Sequence, residues 1–483
     1  MRAKVDPLEV IATSPLARAI ASSSVGKSVA TKLGVPPTVD LRRGRVLPGG
    51  AVSLARLDNS TAILDNSTLA RRTLTLLGVE TIDPVVDTPD ARTPGESGRP
   101  VPPGYEGRLG ALVIDLTGLR TVTELEYVRG VLRPAIRSLE RSGRIILIAR
   151  TPESYDELEP RVLAQGLDGL NRTVAKELRG GATSNLVWVD PETSPEALAS
   201  TLRFLLEGRS AYVDGQSWRV GVAQVDEDVA RTTRPYDGRI VAITGAARGI
   251  GAAIARTFAR DGATVVGVDV PASGEALAKV VNEIHGTALQ LDITLPGAGE
   301  RIAAHVAERY GADARLYAII HNAGITRDRM LVNLDEKGWA AVLDVNLAAQ
   351  LRMNESLLDG RAGGLADGGS IVGISSTSGI AGNKGQANYA TSKAAIVGLV
   401  RAMAPKLADR AITINAVGPG FIETEMTAAI PYLQRQIFQR SNSLAQGGKP
   451  VDVAETIAYL ADPASAAVTG QVVRVCGQAL VGQ

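Results

Sequence analysis

One cysteine, three histidines and few aromatic residues stand among 483 positions, and the formal charge is only +1. Cys476, alone, cannot close an intrachain disulfide, which fits a reducing, cytoplasmic setting. In its apolar strand it reads as a small core residue. His285, His305 and His321 are scattered, so no metal site is expected. Lys+Arg (52) balances Asp+Glu (51) with no basic block, which disfavours nucleic acid and anionic membrane as partners. No uninterrupted apolar run is long enough to span a bilayer.

What is present is hydrophobic residue at 45%, with abundant Gly and Ala, in a chain too long for one ordinary core. The pattern predicts an α/β protein of two domains. The acid-poor N-terminal stretch slightly resembles a targeting segment, but Ser14-Pro15 reads as the N-cap and first turn of an ordinary helix. Its GKS, Gly26 to Ser28, lacks the earlier glycine of a phosphate-binding loop, because position 21 is Ala21. A Pro/Gly-rich polar stretch over about 88–107 predicts a long flexible loop. A second polar stretch predicts a linker over 225–237. The expected domains are therefore 1–224 and 238–483.

After the linker, short apolar strands alternate with helical patterns. GRIVAITG, ATVVGVDV, LYAIIHNAG, GSIVGISS and AITINAVGPG predict a doubly wound parallel sheet of Rossmann type. The first domain repeats the later part of this order. GALVIDLTG lies over LYAIIHNAG, GRIILIAR over GSIVGISS, and SNLVWVDP over ITINAVGP. AQGLDGLNRTVAKEL shares its apolar spacing with the helix that contains Ala394 to Leu407, at a shift of 229. FLLEGRSAYVDGQSWRV lies over YLADPASAAVTGQVVRV at a shift of 255. The difference places roughly 26 extra residues in the second copy, within FIETEMTAAIPYLQRQIFQRSNSLAQGG, where ligands sit in such sheets. The first copy is read as a degenerate, flavodoxin-like or Rossmann-like repeat.

TGAARGIG, Thr244 to Gly251, follows a strand and opens a helix. Gly245 permits a tight turn, Gly249 lets backbone approach a pyrophosphate, and Gly251 allows close packing at a helix N-terminus that favours anions. This spacing resembles that of the short-chain dehydrogenase/reductase family. HNAG (His321 to Gly324), Asn346 in DVNLAA, Ser376 in GISST, Tyr389 and Lys393 in YATSK, and Pro419-Gly420 followed by Thr424 stand in that family's order. Within it the second domain is most similar to 3-oxoacyl-acyl-carrier-protein reductases, and the empty first copy resembles their high-molecular-weight members. The resemblance implies Asn346, Ser376, Tyr389 and Lys393 as catalytic residues. It implies cofactor contacts from Gly245, Arg248, Gly249, Ile250, Gly251, Asp269, Asp292, Ile293, Asn322, Ala323, Gly324, Tyr389, Lys393, Pro419, Gly420, Ile422 and Thr424.

Physical chemistry agrees with these roles. Tyr389 and Lys393, at i and i+4, share a helix face. An ammonium near a phenol favours phenolate, so Tyr389 is expected below its ordinary pKa of ~10 and suited to general acid work. Ser376 would meet a carbonyl oxygen where charge develops, and the resemblance implies that Asn346 holds a water serving Lys393. Asp269 ends the second strand, where a carboxylate accepts from a ribose 2′-OH and repels a 2′-phosphate. NADH is expected as cofactor, with NADPH possible through Arg248. The implied activity is reduction of 3-oxoacyl thioesters, with acyl-CoA or acyl-carrier protein as substrate. Two alternatives are oxidation of a 3-hydroxyacyl-CoA or other secondary alcohol, and a dinucleotide-sensing binding protein. In the first copy Arg150, Pro160 and Ala164 take the places of Ser376, Tyr389 and Lys393. That copy is expected to bind no dinucleotide and to pack on the second domain through the matched ends. Two chains would then pair through their catalytic domains as a homodimer.

Overall fold

The computed structural model describes residues 39–57, 68–94, 100–428, 430 and 432–479. The helix expected from Ser14-Pro15 and the GKS at Gly26 to Ser28 lie outside the described residues. Two parallel sheets dominate. The first holds β1 (Ala51–Arg56), β2 (Thr81–Ile82), β5 (Leu109–Asp115), β6 (Leu139–Arg150), β7 (Thr183–Val189) and β8 (Ser217–Val220), in the order β2-β1-β5-β6-β7-β8. β3 (Thr93–Pro94) and β4 (Pro100–Val101) form a separate antiparallel pair. The second sheet holds β9 (Ile240–Thr244), β10 (Thr264–Asp269), β11 (Thr287–Gln290), β12 (Leu316–His321), β13 (Leu365–Ile374), β14 (Thr413–Pro419) and β15 (Val472–Val475), in the order β11-β10-β9-β12-β13-β14-β15. Central strands such as β5, β7, β12 and β14 are buried along their whole length, which is why they read as continuous apolar runs rather than alternating ones.

The two sheets agree strand for strand, with β2-β1-β5-β6-β7-β8 matching β10-β9-β12-β13-β14-β15 and β11 having no counterpart. The repeat thus extends to β1 and β2, beyond the matches found in sequence. AVSLAR and the two-residue TI are too short to carry a signal, and no glycine turn follows β1. Between β7 and the helix Pro195–Leu206 lie five residues, 190–194, whereas thirty, 420–449, separate β14 from the helix Pro450–Leu460. The extra segment is where the sequence places it.

The stretch expected as a flexible loop has local structure in its described part. Pro89–Ala91 forms a 3-10 turn. The buried carboxylate of Asp87 accepts hydrogen bonds from Arg92 at 2.8 Å and Arg133 at 2.7 Å, which hold it near a pKa of about 2. The Tyr105 hydroxyl accepts from Val85 N at 3.2 Å and meets Ser53 Oγ at 3.0 Å. The stretch read as a linker is also packed. It forms the short helix Glu227–Arg231, and the buried ring of Tyr236 lies against Phe258 at 4.6 Å.

The matched ends of the two copies meet. Phe204 stacks on its counterpart Tyr459 with ring centres 4.5 Å apart, and Trp218 stands edge-on to both. Thr201 Oγ1 and the Tyr459 hydroxyl are 2.7 Å apart. Matched residues exchange matched bonds: Arg219 N donates to Gln471 Oε1 at 2.8 Å, and Arg474 N donates to Gln216 Oε1 at 3.2 Å. Such reciprocity is the mark of an isologous, two-fold contact, here inside one chain. Arg209, buried, donates to the buried Glu455 carboxylate at 2.8 Å. One apolar cluster includes Leu202 and Phe204 of the first copy with Ile457 and Tyr459 of the second.

Candidate active site

Parallel strands point their carboxyl ends the same way, and the order reverses between β9 and β12, which opens a crevice there. After β9 the chain turns at Gly245, whose φ of +67° suits glycine. A Cβ at Gly251 would lie 1.9 Å from the Gly245 carbonyl oxygen, so only glycine lets the helix Gly249–Arg260 start this close to the turn. Arg248, exposed at its N-cap, gives no side-chain cap, and no acid stands in the first turn. That leaves a positive helix end facing a surface with little side-chain bulk, which fits a pyrophosphate. Ile250 is half-buried beside it.

The turn is braced from β12. Asn322 Nδ2 donates to the carbonyls of Thr244 and Gly245, each at 3.0 Å, while Thr244 Oγ1 accepts from Asn322 N and Ala323 N at 3.1 Å. Thr244 stands inside TGAARGIG without a role that the motif itself assigns; its position as the last residue of β9 is the signal for one. At the end of β10, Asp269 Oδ2 accepts from Ala247 N at 3.0 Å and Oδ1 from Val270 N at 2.9 Å. A carboxylate has further lone pairs, so these bonds orient it and leave acceptor capacity. Leu291 N donates to Asp269 O at 2.8 Å, which brings the next residues, Asp292 and the buried Ile293, to the same end of the sheet. Asp292 accepts from Thr294 N and Oγ1.

The proposed proton donor lies one crevice wall away. Ser376, buried just after β13, caps the short helix Thr377–Ala381, with its Oγ accepting from Ser378 N at 3.1 Å. Tyr389 and Lys393 project from the helix Ala387–Leu407, with Lys393 Nζ 5.6 Å from the Tyr389 ring centre. Nζ donates to the Ile374 carbonyl at 2.7 Å. Burial drives the Lys393 pKa down to about 8.

Tyr389 departs from expectation. Burial pushes its phenol above the ordinary value, the hydrogen bond with Ser376 opposes this, and the carboxylate of Asp328 adds to the rise. The ammonium near the ring does not reverse it, because Nζ is directed at a backbone carbonyl.

Asn346 lies in a one-turn π-helical segment, Asp344–Ala348, of the kind that often marks a functional position. Its Oδ1 accepts from Ile325 N at 2.8 Å, and its Nδ2 donates to Ile325 O at 3.0 Å and Ser392 Oγ at 3.1 Å. Ser392 in turn donates to Tyr389 O at 2.8 Å. Ser392, inside TSK, has no sequence signal of its own, because its partner Asn346 lies 46 residues away. Gly324 ties the walls together: a Cβ there would come within 3.2 Å of Asn346 Oδ1 and 3.5 Å of Lys393 Nζ. On the third side Pro419 ends β14, and Gly420 N donates to Val475 O at 3.0 Å. Ile422 is buried and bridges to Gly448, while Thr424 caps the next turn with Thr427.

The corresponding places in the first copy carry none of this. Arg150 ends β6, and Pro160 and Ala164 are buried in the helix Leu158–Glu177. Among the described residues no group of His, Cys, Asp and Glu could hold a metal, and no helix is long and apolar enough to cross a membrane.

Comparison with known proteins agrees with this division. The family model described as enoyl-(acyl carrier protein) reductase matches residues 245–477. The 3-oxoacyl-(acyl-carrier-protein) reductase FabG of Thermotoga maritima is 39% identical over 243 residues, which is 50% of this chain and 97% of the relative. FabG of Pseudomonas aeruginosa is 38% identical over 243 residues, covering 96% of that protein. FabG of Escherichia coli is 35% identical over 242 residues, covering 97%. The chain belongs to the short-chain dehydrogenase/reductase family. Its C-terminal half is similar to 3-oxoacyl-(acyl-carrier-protein) reductases over almost their whole length.

Proposed function

We propose that the domain spanning about 238–483 reduces 3-oxoacyl thioesters, linked to acyl-carrier protein or CoA, to 3-hydroxyacyl thioesters with a nicotinamide dinucleotide. The observation that carries this is the placement of Ser376 just after β13 and of Tyr389 and Lys393 on the helix Ala387–Leu407, with Lys393 Nζ 5.6 Å from the Tyr389 ring centre and Asn346 tied to the same helix through Ser392. A serine and a tyrosine hydroxyl as donors suit a ketone oxygen that gains negative charge. The relatives bear 3-oxoacyl reductase names whereas the family model is described by enoyl reduction. The paired hydroxyls favour the carbonyl.

The bound dinucleotide supplies the hydride. Ser376 hydrogen-bonds the substrate oxygen, and Tyr389 Oη gives it the proton. A phenol raised by burial stays protonated at neutral pH, the form a general acid needs before reaction. Lys393, with a pKa of about 8, is mostly ammonium there and steadies charge that develops on the phenol. Asn346, fixed by Ile325 and Ser392, holds the water through which a proton returns to Lys393. The glycine turn and first helical turn would hold the pyrophosphate, and Asn322, Ala323, Gly324, Pro419, Gly420, Ile422 and Thr424 would complete the cofactor site. Asp292 and Ile293 would contact the adenine.

Asp269 makes NADH the favoured cofactor, since an oriented carboxylate accepts from a 2′-OH and repels a 2′-phosphate. Arg248, exposed, leaves NADPH as the weaker partner. The residues before about 225 form a non-catalytic domain joined through 225–237. Chains pair through the catalytic domains. The helix Ala387–Leu407 exposes Thr391, Ala394, Gly398 and Ala402, a flat surface on which another helix can pack closely. Its counterpart in the first copy exposes Val162, Gln165, Gly169 and Thr173 at the matched positions, with Glu159, Arg161 and Lys176 also exposed.

The test is turnover of acetoacetyl-CoA and of a 3-oxoacyl-acyl-carrier protein with NADH and with NADPH, together with light scattering of the full chain. Reduction of both thioesters, faster with NADH, by a dimer is the expected result. Absence of reduction overturns the activity, a preference for NADPH overturns the assignment of Asp269, and a monomer overturns the pairing.

A further inference from the structure

The first copy has no proton donor, yet one of its side chains reaches the connection that follows β14 at the carboxyl end of the second copy's sheet. The thirty-residue connection after β14 is closed at its base by a bridge between Ile422 and Gly448. Glu423 N donates to Gly448 O at 2.8 Å, and Gly448 N donates to Phe421 O at 3.0 Å. Against this closure lies Tyr212, a fully buried residue of the first copy. A Cβ at Gly448 would meet Tyr212 Cε1 at 2.5 Å, and one at Gly477 would meet Cε2 at 2.8 Å, so the ring is held between two glycines. Its hydroxyl donates to Gln446 O at 2.8 Å and accepts from Asn442 Nδ2 at 3.2 Å. Gly477 N donates to Tyr212 O at 3.0 Å. The same ring therefore contacts the end of the connection and the turn after β15 that lies against Gly420.

Glycine at 448 and 477 and tyrosine at 212 form a lock made from three separate stretches. The matched residue of the second copy, at a shift of 255, is Ala467, which has no ring to offer. A large amphipathic side chain here fits the lock: its faces fill the space left by the two glycines, and its hydroxyl satisfies a buried carbonyl.

We propose that Tyr212 is a positioning residue for substrate, through which the non-catalytic copy sets where the base of that connection, residues 421–423 and 442–448, rests beside the crevice. The proposal rests on the assignment of that crevice to 3-oxoacyl thioesters. Substrate affinity, rather than the chemical step, depends on it, because Tyr212 touches the base of that connection and none of Ser376, Tyr389 or Lys393.

The test is Tyr212→Phe in the full chain, which keeps the ring and removes both hydroxyl bonds, with Tyr212→Leu removing the ring. Hydrogen exchange of the amides of 421–423 and 442–448 is measured alongside steady-state kinetics with acetoacetyl-CoA. Tyr212→Phe is expected to speed exchange in that segment alone and to raise KM for the thioester about fivefold, as loss of one or two neutral hydrogen bonds implies. The kcat and the KM for NADH stay within about twofold, since neither depends on a group that the variant removes. Tyr212→Leu gives a larger change in the same direction. Unchanged exchange in Tyr212→Phe overturns the positioning role, and faster exchange with an unchanged KM overturns its link to substrate. If the wild-type chain fails to reduce the thioester at all, the crevice assignment and the substrate link fall. The exchange measurement still decides whether Tyr212 holds the segment.

Discussion

The same helix N-terminus exists twice in this molecule, and the two ends are finished differently. After β9 the helix Gly249–Arg260 begins on glycines, with no side-chain cap and no acid in its first turn. After β1 the helix Leu69–Leu76 begins with Thr68, whose hydroxyl accepts from Arg71 N at 3.4 Å. The buried carboxylate of Asp115, at the end of β5, lies 3.4 Å from Ala70 N and accepts from Thr117 Oγ1 at 2.7 Å. One copy leaves its positive end open for an anion, and the other meets it with its own side chains. A repeated fold keeps its packing readily. The chemistry resides in what stands at the carboxyl ends of the strands.

The largest effect should separate the copies by activity. Tyr389→Phe, which removes the only proton that the helix Ala387–Leu407 offers to substrate, is expected to lower kcat about a thousandfold. Affinity for NADH, measured by fluorescence titration, should stay nearly unchanged. Tyr155→Phe in the first copy, where Tyr155 is buried beside Arg120 with no lysine four positions on, should leave kcat within about twofold. Retained turnover in Tyr389→Phe would remove the basis for contrasting the copies.

Next in size is the contact between them. Tyr459 is buried between Phe204 and Trp218, so Tyr459→Ala should cost about 3 kcal/mol of stability, read as a lower denaturant midpoint. Val162, exposed on the first copy's helix, is a control whose change to Ala should stay within about 0.5 kcal/mol. Equal effects at the two positions would mean that the matched ends contribute no more than ordinary surface.

Much of this comparison was legible beforehand, for physical reasons. TGAARGIG announces itself because a backbone that must approach a ligand tolerates only glycine, and Tyr389 and Lys393 are bound by helical spacing. Buried strands β5, β6 and β7 keep their apolar runs even where function has gone, so the repeat could be read from them. Less was legible where the determinant is three-dimensional. Thr244, Ser392 and Tyr212 act through backbone groups brought close by folding, and Tyr212 stands opposite Ala467, where alignment registers only a mismatch. The raised phenol of Tyr389 was misread for a similar reason. Spacing puts Lys393 nearby, whereas the Ile374 carbonyl determines where its ammonium points.

A smaller effect follows from that ammonium. Burial lowers Lys393 from its ordinary value of 10.5 to about 8. The ammonium form, which the reduction uses, is lost as pH rises through about 8, so kcat/KM should fall about tenfold between pH 7 and pH 9. Stability takes the opposite sign. Between about 8 and 10.5 the unfolded chain holds a proton that the folded chain has released, so this group's contribution to stability grows as pH rises through that window and is lost as pH falls to 8. The first copy, with Ala164 in the matched place, adds no such dependence. A kcat/KM that is flat to pH 10 would mean that the proton path avoids Lys393.

The smallest expected change is none at all, and it tests the opening contrast most directly. If the first copy's helix end is closed by its own groups, the full chain binds one dinucleotide, at the TGAARGIG turn, and calorimetry with NADH should give one site per chain. Removing the charge alone should not open a second site. Asp115→Asn leaves an amide in the same place, Thr68 still caps Arg71 N, and the segment after β1 still lacks the glycines that let backbone approach a pyrophosphate. The stoichiometry in Asp115→Asn should therefore remain one, while Gly251→Val, whose side chain would collide with the Gly245 carbonyl, should abolish that single site. Two sites in the wild-type chain, or a second site gained by Asp115→Asn, would mean that the first copy retains a dinucleotide cradle and that Asp115 alone keeps it shut.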